Sequence, residues 1–100
     1  MKPHIKIYMN HFGYGEQEFI PCECCGNKAV DIHHIVARGR GGDPTGKKDI
    51  IENLQAVCRA CHDKYGDSPN WFEFLVKAHA AKLMVKFAEL LEKLEKLKTL

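Results

Sequence analysis

Two short cysteine pairs constrain this chain more than any other feature: Cys22 and Cys25 form one C-x-x-C, and Cys58 and Cys61 form another. Zinc takes four thiolates tetrahedrally, and two tight knuckles that each offer two sulfurs meet that geometry with little strain. The interval between the pairs is longer than in simple zinc ribbons, so a folded insert must lie between them. A structural zinc there would pin the insert at both ends and couple folding to metal binding. Gly26, directly after the second cysteine, lets the first knuckle turn tightly. The competing reading is a set of buried thiols or a redox pair. Cys24 is left over. It could replace Cys25 only at the tighter C-x-C spacing, so a free thiol is expected.

A metal matters here because 100 residues allow one domain with a modest core. With 45% hydrophobic and 28% charged residues, the chain is expected to be globular. Its net charge of +2 fits contact with a phosphate backbone but does not require it. Met1-Lys2-Pro3-His4 is followed by no apolar stretch of export-signal type, and no run approaches membrane-spanning length. The expectation is a cytoplasmic protein of a bacterial or phage-infected cell with no membrane partner. In such a reducing compartment, clustered cysteines are more often metal ligands than disulfides.

The pattern predicts a short helix over 3–12, opened by Pro3 and closed by Gly13. A strand rich in β-branched residues is expected over 29–35, then a glycine-rich basic loop over 38–49. A second strand follows over 54–57, and a helix begins at 58–64. Ser68 and Pro69 suit the start of a long helix over 70–98. Along that helix, Val76, Ala80, Leu83, Phe87, Leu90, Leu94 and Leu97 alternate spacings of four and three, a heptad seam. The fold class expected is a small α+β, zinc-stabilised domain. Residues 1–66 would form the core, and 67–100 a C-terminal helix. That helix either packs on the core, led by Trp71, Phe72, Phe74 and Leu75, or docks on a second copy or a partner protein.

The chemistry lies in the insert. His33 and His34 are adjacent in a predicted strand, where side chains alternate faces. They therefore suit separate roles, one holding a metal and the other free as a base. His62, directly after Cys61, can approach the same site from a helix start. Taken singly, each of these histidines is more simply a surface or packing residue; their joint placement argues otherwise. His4, His11 and His79 have no such context and are expected at the surface or partly buried.

These residues resemble the HNH endonuclease family. The resemblance runs through Pro21-Cys22, Val30-Asp31-Ile32-His33-His34-Ile35, Gly41-Gly42, Glu52-Asn53-Leu54 and Cys58-Arg59-Ala60-Cys61-His62. It implies a strand–loop–strand–helix (ββα-metal) site that hydrolyses DNA to 5′-phosphate and 3′-hydroxyl ends. His34 would be the general base and His33 and His62 the ligands of a catalytic divalent ion. Asn53 would orient the loop through backbone hydrogen bonds. Gly66 stands where some members carry a further histidine. With two imidazoles and open positions, the site should accept Mn²⁺, Ni²⁺ or Co²⁺ as well as Mg²⁺. Arg38 is the best-placed cation to stabilise developing charge. Arg40, Lys47 and Lys48 are candidate nucleic-acid contacts, each equally readable as part of a solvated loop.

Two other patterns fail. The stretch from Gly41 to Lys47 fits G-x-x-x-x-G-K, but Lys48 replaces the hydroxyl residue and Pro44 interrupts the loop, so a P-loop is rejected. Cys58 to His62 fits the haem-attachment pattern C-x-x-C-H, but that reading needs export and leaves Cys22 and Cys25 unexplained. The alternative to a nuclease is a non-catalytic, zinc-stabilised nucleic-acid-binding module, which would not need His33, His34 and His62 together. Phage, restriction and mobile-element settings are all compatible with such a chain.

Overall fold

The computed structural model describes residues 1–39, 44–66 and 68–100. The order is α1 (Pro3–Phe12), β1 (Asp31–His34), a 3₁₀ turn (Ile51–Asn53), β2 (Leu54–Val57) and α2 (Arg59–Tyr65). A second 3₁₀ turn (Pro69–Trp71) then leads into α3 (Phe72–Leu97). This is the small α+β architecture expected: a short N-terminal helix, a two-stranded antiparallel sheet and a long C-terminal helix.

In the sheet, Asp31 pairs with Val57, Ile32 with Ala56, His33 with Gln55 and His34 with Leu54. Alternation sends Ile32, Leu54 and Ala56 into a core with Tyr8 of α1. A second apolar cluster joins Val57 to Cys22, Cys58 and Cys61, with Tyr65 of α2 against it. The sheet therefore sits between α1 and the cysteine cluster.

A carboxylate closes the outer edge of β2. The Glu23 amide donates to the Ala56 carbonyl (2.9 Å), and the Ala56 amide donates back to Glu23 Oε2 (3.3 Å). Glu23 Oε2 also accepts from the Tyr8 hydroxyl (2.6 Å), and Glu23 Oε1 pairs with His79 Nδ1 of α3 (2.8 Å). His79 Nε2 lies 2.6 Å from the Ile51 carbonyl. The Glu23 and His79 side chains are 1% and 2% exposed, so this pair is part of the core. His79, expected at the surface or partly buried, is the residue that anchors α3.

The helix α3 docks through Leu75, His79 and Lys82. The Lys82 ammonium donates to the Tyr14 hydroxyl (2.7 Å) and lies 4.9 Å from the Phe12 ring centre. The heptad seam lies beside this docking face and is largely uncovered: Leu83 is half-buried, but Val76 is 41% exposed, Phe87 59% and Leu94 50%. The proximal aromatics differ from expectation as well. Leu75 alone of the four is buried, whereas Trp71, Phe72 and Phe74 remain exposed. Trp71 and Phe74 instead pack around the Tyr65 ring, each with its centre 4.8 Å away. Ser68 stands before the 3₁₀ turn without a side-chain cap, so α3 begins at Phe72 rather than near residue 70. Among the described residues, no helix is long and apolar enough to cross a membrane.

Candidate active site and metal centre

Cys22, Cys25, Cys58 and Cys61 bring their sulfurs within 4.8 Å of one another. The Cys25 and Cys58 sulfurs are 3.6 Å apart, far beyond a disulfide bond. They are close to the edge of about 3.8 Å for a tetrahedron with zinc–sulfur bonds of about 2.3 Å. Backbone geometry builds both knuckles. The Gly26 amide donates to the Cys22 carbonyl (2.9 Å), with Gly26 at φ 82°. The Cys61 amide donates to the Cys58 sulfur (3.4 Å) and begins α2. These residues fit zinc by number, spacing and donor chemistry.

Burial raises the Cys22 thiol pKa, but hydrogen bonds from the Cys58, Cys24 and Cys25 amides outweigh it and bring the value down to about 7. Cys24 stays outside the four-sulfur group. Burial, together with the neighbouring Cys22 and Glu23 charges, pushes its thiol up to about 12.

A cleft of about 270 Å³ opens beside β1, lined by Asp31, His33, His34, Arg38 and His62 together with His4 of α1. The strand sends its two histidines different ways. His33 faces His62 of α2, with ring centres 5.6 Å apart, and meets Gln55 Oε1 through Nε2 (2.9 Å). His34 meets Asp49 Oδ1 through Nε2 (2.6 Å) and lies against the His4 ring at 4.9 Å between centres. Asp31, on the His33 face, brings Oδ2 to 4.0 Å from His62 Nε2.

Asn53 ties down the loop that carries the cations. Its Oδ1 accepts from the Val36 amide (2.7 Å), and its Nδ2 donates to the carbonyls of Val36 (3.1 Å) and Lys48 (3.0 Å). Arg38 is exposed at the rim of the cleft. Lys47 is exposed and does not line the cleft, and the Lys48 ammonium donates to the Ala37 carbonyl (2.7 Å). Arg40 lies outside the described residues, as do Gly41 and Gly42. At Gly66 a Cβ would lie 2.5 Å from the His62 carbonyl oxygen, so this backbone has no room for a histidine there.

The residues that the sequence left without a role are His4, Asp31, Glu23, Asp49, Gln55 and His79. His4 and Asp49 form a compact group with His34, their ligand-type atoms all within 4.8 Å. Burial lowers the His4 pKa, helped by the neighbouring His34 and Arg38 charges. Asp31 lies within the stretch that carries the family resemblance; no local signal marks the others, because each acts through a partner distant in the chain.

Two antiparallel strands followed by a helix, with a cluster of four thiols and a histidine-lined cleft, define a zinc-type ββα module. Residues 22–68 match the HNH endonuclease family, and this segment contains both strands, α2 and all four clustered cysteines. The chain is also similar to uncharacterized protein YdfU of Escherichia coli (strain K12), at 35% identity over 72 residues, covering 60% of this chain and 20% of the relative. It thus spans about a fifth of the length of that curated relative. No solved structure matches it.

Proposed function

We propose that this protein is a divalent-metal-dependent endonuclease that hydrolyses DNA phosphodiester bonds, leaving 5′-phosphate and 3′-hydroxyl ends. The observation that carries the reading is the convergence of His33, His34, His62 and Arg38 on one cleft. In this reading the core over 1–66 does the chemistry.

His34 acts as general base. Its Nε2–H donates to Asp49, 2.6 Å away, which leaves the Nδ1 lone pair to take a proton from water. The resulting hydroxide attacks phosphorus in line, and the bond to the 3′ oxygen breaks. His33 and His62 would hold the divalent ion, with water and phosphate oxygens completing its shell. Once bound, the ion supplies charge stabilisation for the phosphate and the leaving 3′ oxygen. Arg38 adds a cation at the rim, and Asn53 holds the loop that carries it. Lys47, Lys48 and Arg40 stay candidate backbone contacts. The uncovered end of α3 is the surface for a second copy or a partner helix, and sedimentation showing a monomer at high concentration would remove self-association.

The test is plasmid cleavage by the zinc-loaded chain with Mg²⁺ or Mn²⁺. His34→Ala should lose about 10²- to 10⁴-fold in rate while keeping its fold and zinc. Absence of cleavage by the wild type, or equal cleavage by both, would leave the non-catalytic binding module as the better reading.

A further inference from the structure

We propose that Gln55 is a positioning residue for His33, and that α3 reaches the site through it. In this arrangement Gln55 fixes His33 as the tautomer with a proton on Nε2 and the lone pair on Nδ1, the nitrogen offered to the ion. The inference rests on His33 being an ion ligand.

Gln55 is fully buried in the middle of β2, between Leu54 and Ala56. A glutamine there loses its water contacts, so each amide atom needs a partner. Gln55 Nε2 donates to the Leu75 carbonyl of α3 (3.0 Å) and lies 3.5 Å from Glu23 Oε1. A carbonyl and a carboxylate only accept, so the amide can be oriented in one way, with Oε1 turned to His33. The two residues face each other across the sheet. At 2.9 Å, His33 Nε2 must then be the donor. An imidazole that holds a metal through one nitrogen characteristically donates the other N–H to an oxygen, which fixes its tautomer and orientation.

The orientation of Gln55 depends on α3 at two points. Leu75 supplies the carbonyl directly. His79 pairs with the same Glu23 oxygen that faces Gln55 Nε2. The C-terminal helix is therefore part of the support of the ion site, although it lines no part of the cleft.

The test uses long-range proton–nitrogen NMR on the zinc-loaded full chain, with the His33 ring assigned by its loss in His33→Gln. The expected result is an Nε2–H ring for His33 in the wild type. In Gln55→Met, which keeps the volume but not the acceptor, that preference should be lost. Mn²⁺ binding at the cleft should weaken about 10- to 100-fold, with zinc content unchanged. A merely structural role for Gln55 would not move the tautomer. An Nδ1–H ring in the wild type would overturn the proposal, as would unchanged Mn²⁺ affinity in a folded Gln55→Met. If that variant does not fold, the wild-type tautomer still decides. No DNA cleavage by a chain with the stated tautomer and a Gln55-dependent Mn²⁺ affinity would remove the nuclease reading and leave the positioning role intact.

Discussion

Replacing Glu23 by glutamine tests the buried centre that holds α3 to the domain. The native carboxylate accepts from four donors: the Tyr8 hydroxyl, the Ala56 amide, His79 Nδ1 and Gln55 Nε2. An amide has only one accepting oxygen, so at least one side of the site would set donor against donor. His79 faces an acceptor at each ring nitrogen, Glu23 at one and the Ile51 carbonyl at the other. Burial alone would lower its pKa, but the Glu23 hydrogen bond and charge outweigh this and raise it. Glu23→Gln therefore leaves a buried imidazolium without its counter-charge. Removing one partner of a buried pair costs about 3–5 kcal/mol, a large share of the roughly 5–15 kcal/mol that holds a domain folded.

The pH dependence makes this prediction specific. A raised histidine contributes stability that is present below the unfolded pKa of about 6.5 and is lost as pH rises through the folded value. The full cost of Glu23→Gln should appear near about pH 5.5, where His79 is charged. It should shrink in alkaline solution, where neutral Nδ1 can accept from the new amide. Urea unfolding at fixed free zinc is the assay, because zinc binding is linked to folding. A loss below about 1 kcal/mol at the acid end, the size of one ordinary hydrogen bond, would refute the reasoning, and so would a loss independent of pH.

Further outcomes can be checked directly. Metal analysis should find one zinc per chain, and Cys58→Ser should lose it and unfold, as read by circular dichroism. If the proposed nuclease reading holds, Asp49→Asn should keep the fold but slow cleavage less than His34→Ala does, because it disturbs the ring that His34 presents without removing the proposed base; equal rates for Asp49→Asn and wild type would contradict the pairing. His4 is shifted opposite to His79: burial first, then the His34 and Arg38 charges, lowers it. Its contribution is therefore present above about 6.5 and lost as pH falls through the folded value, so His4→Gln should flatten the acid side of the stability profile, and an unchanged acid limb would refute this. Gly66→Ala forces a Cβ to 2.5 Å from the His62 carbonyl oxygen and should cost about 1–3 kcal/mol in thermal unfolding.

Local spacing made much of this molecule legible in its sequence. Proline at the start and glycine after the end bounded α1 at the residues observed. The second strand expected at 54–57 is β2 as observed, and the cysteine pairs indicate the knuckles that the fold brings within reach of one ion. Strand alternation likewise separated His33 from His34. Such features depend on residues a few positions apart, where steric and coordination rules act without the rest of the chain. Tertiary structure decided what lay beyond that range. It chose Asp49 as the partner of His34, 15 positions away, and placed Gln55 opposite His33, 22 positions away. It also buried His79 against Glu23 across 56 positions. It set where α3 is covered and where it is bare, a division that the unbroken heptad pattern does not mark. Polar partners of this kind leave no periodic trace, because a hydrogen bond constrains two atoms in space and not the number of residues between them.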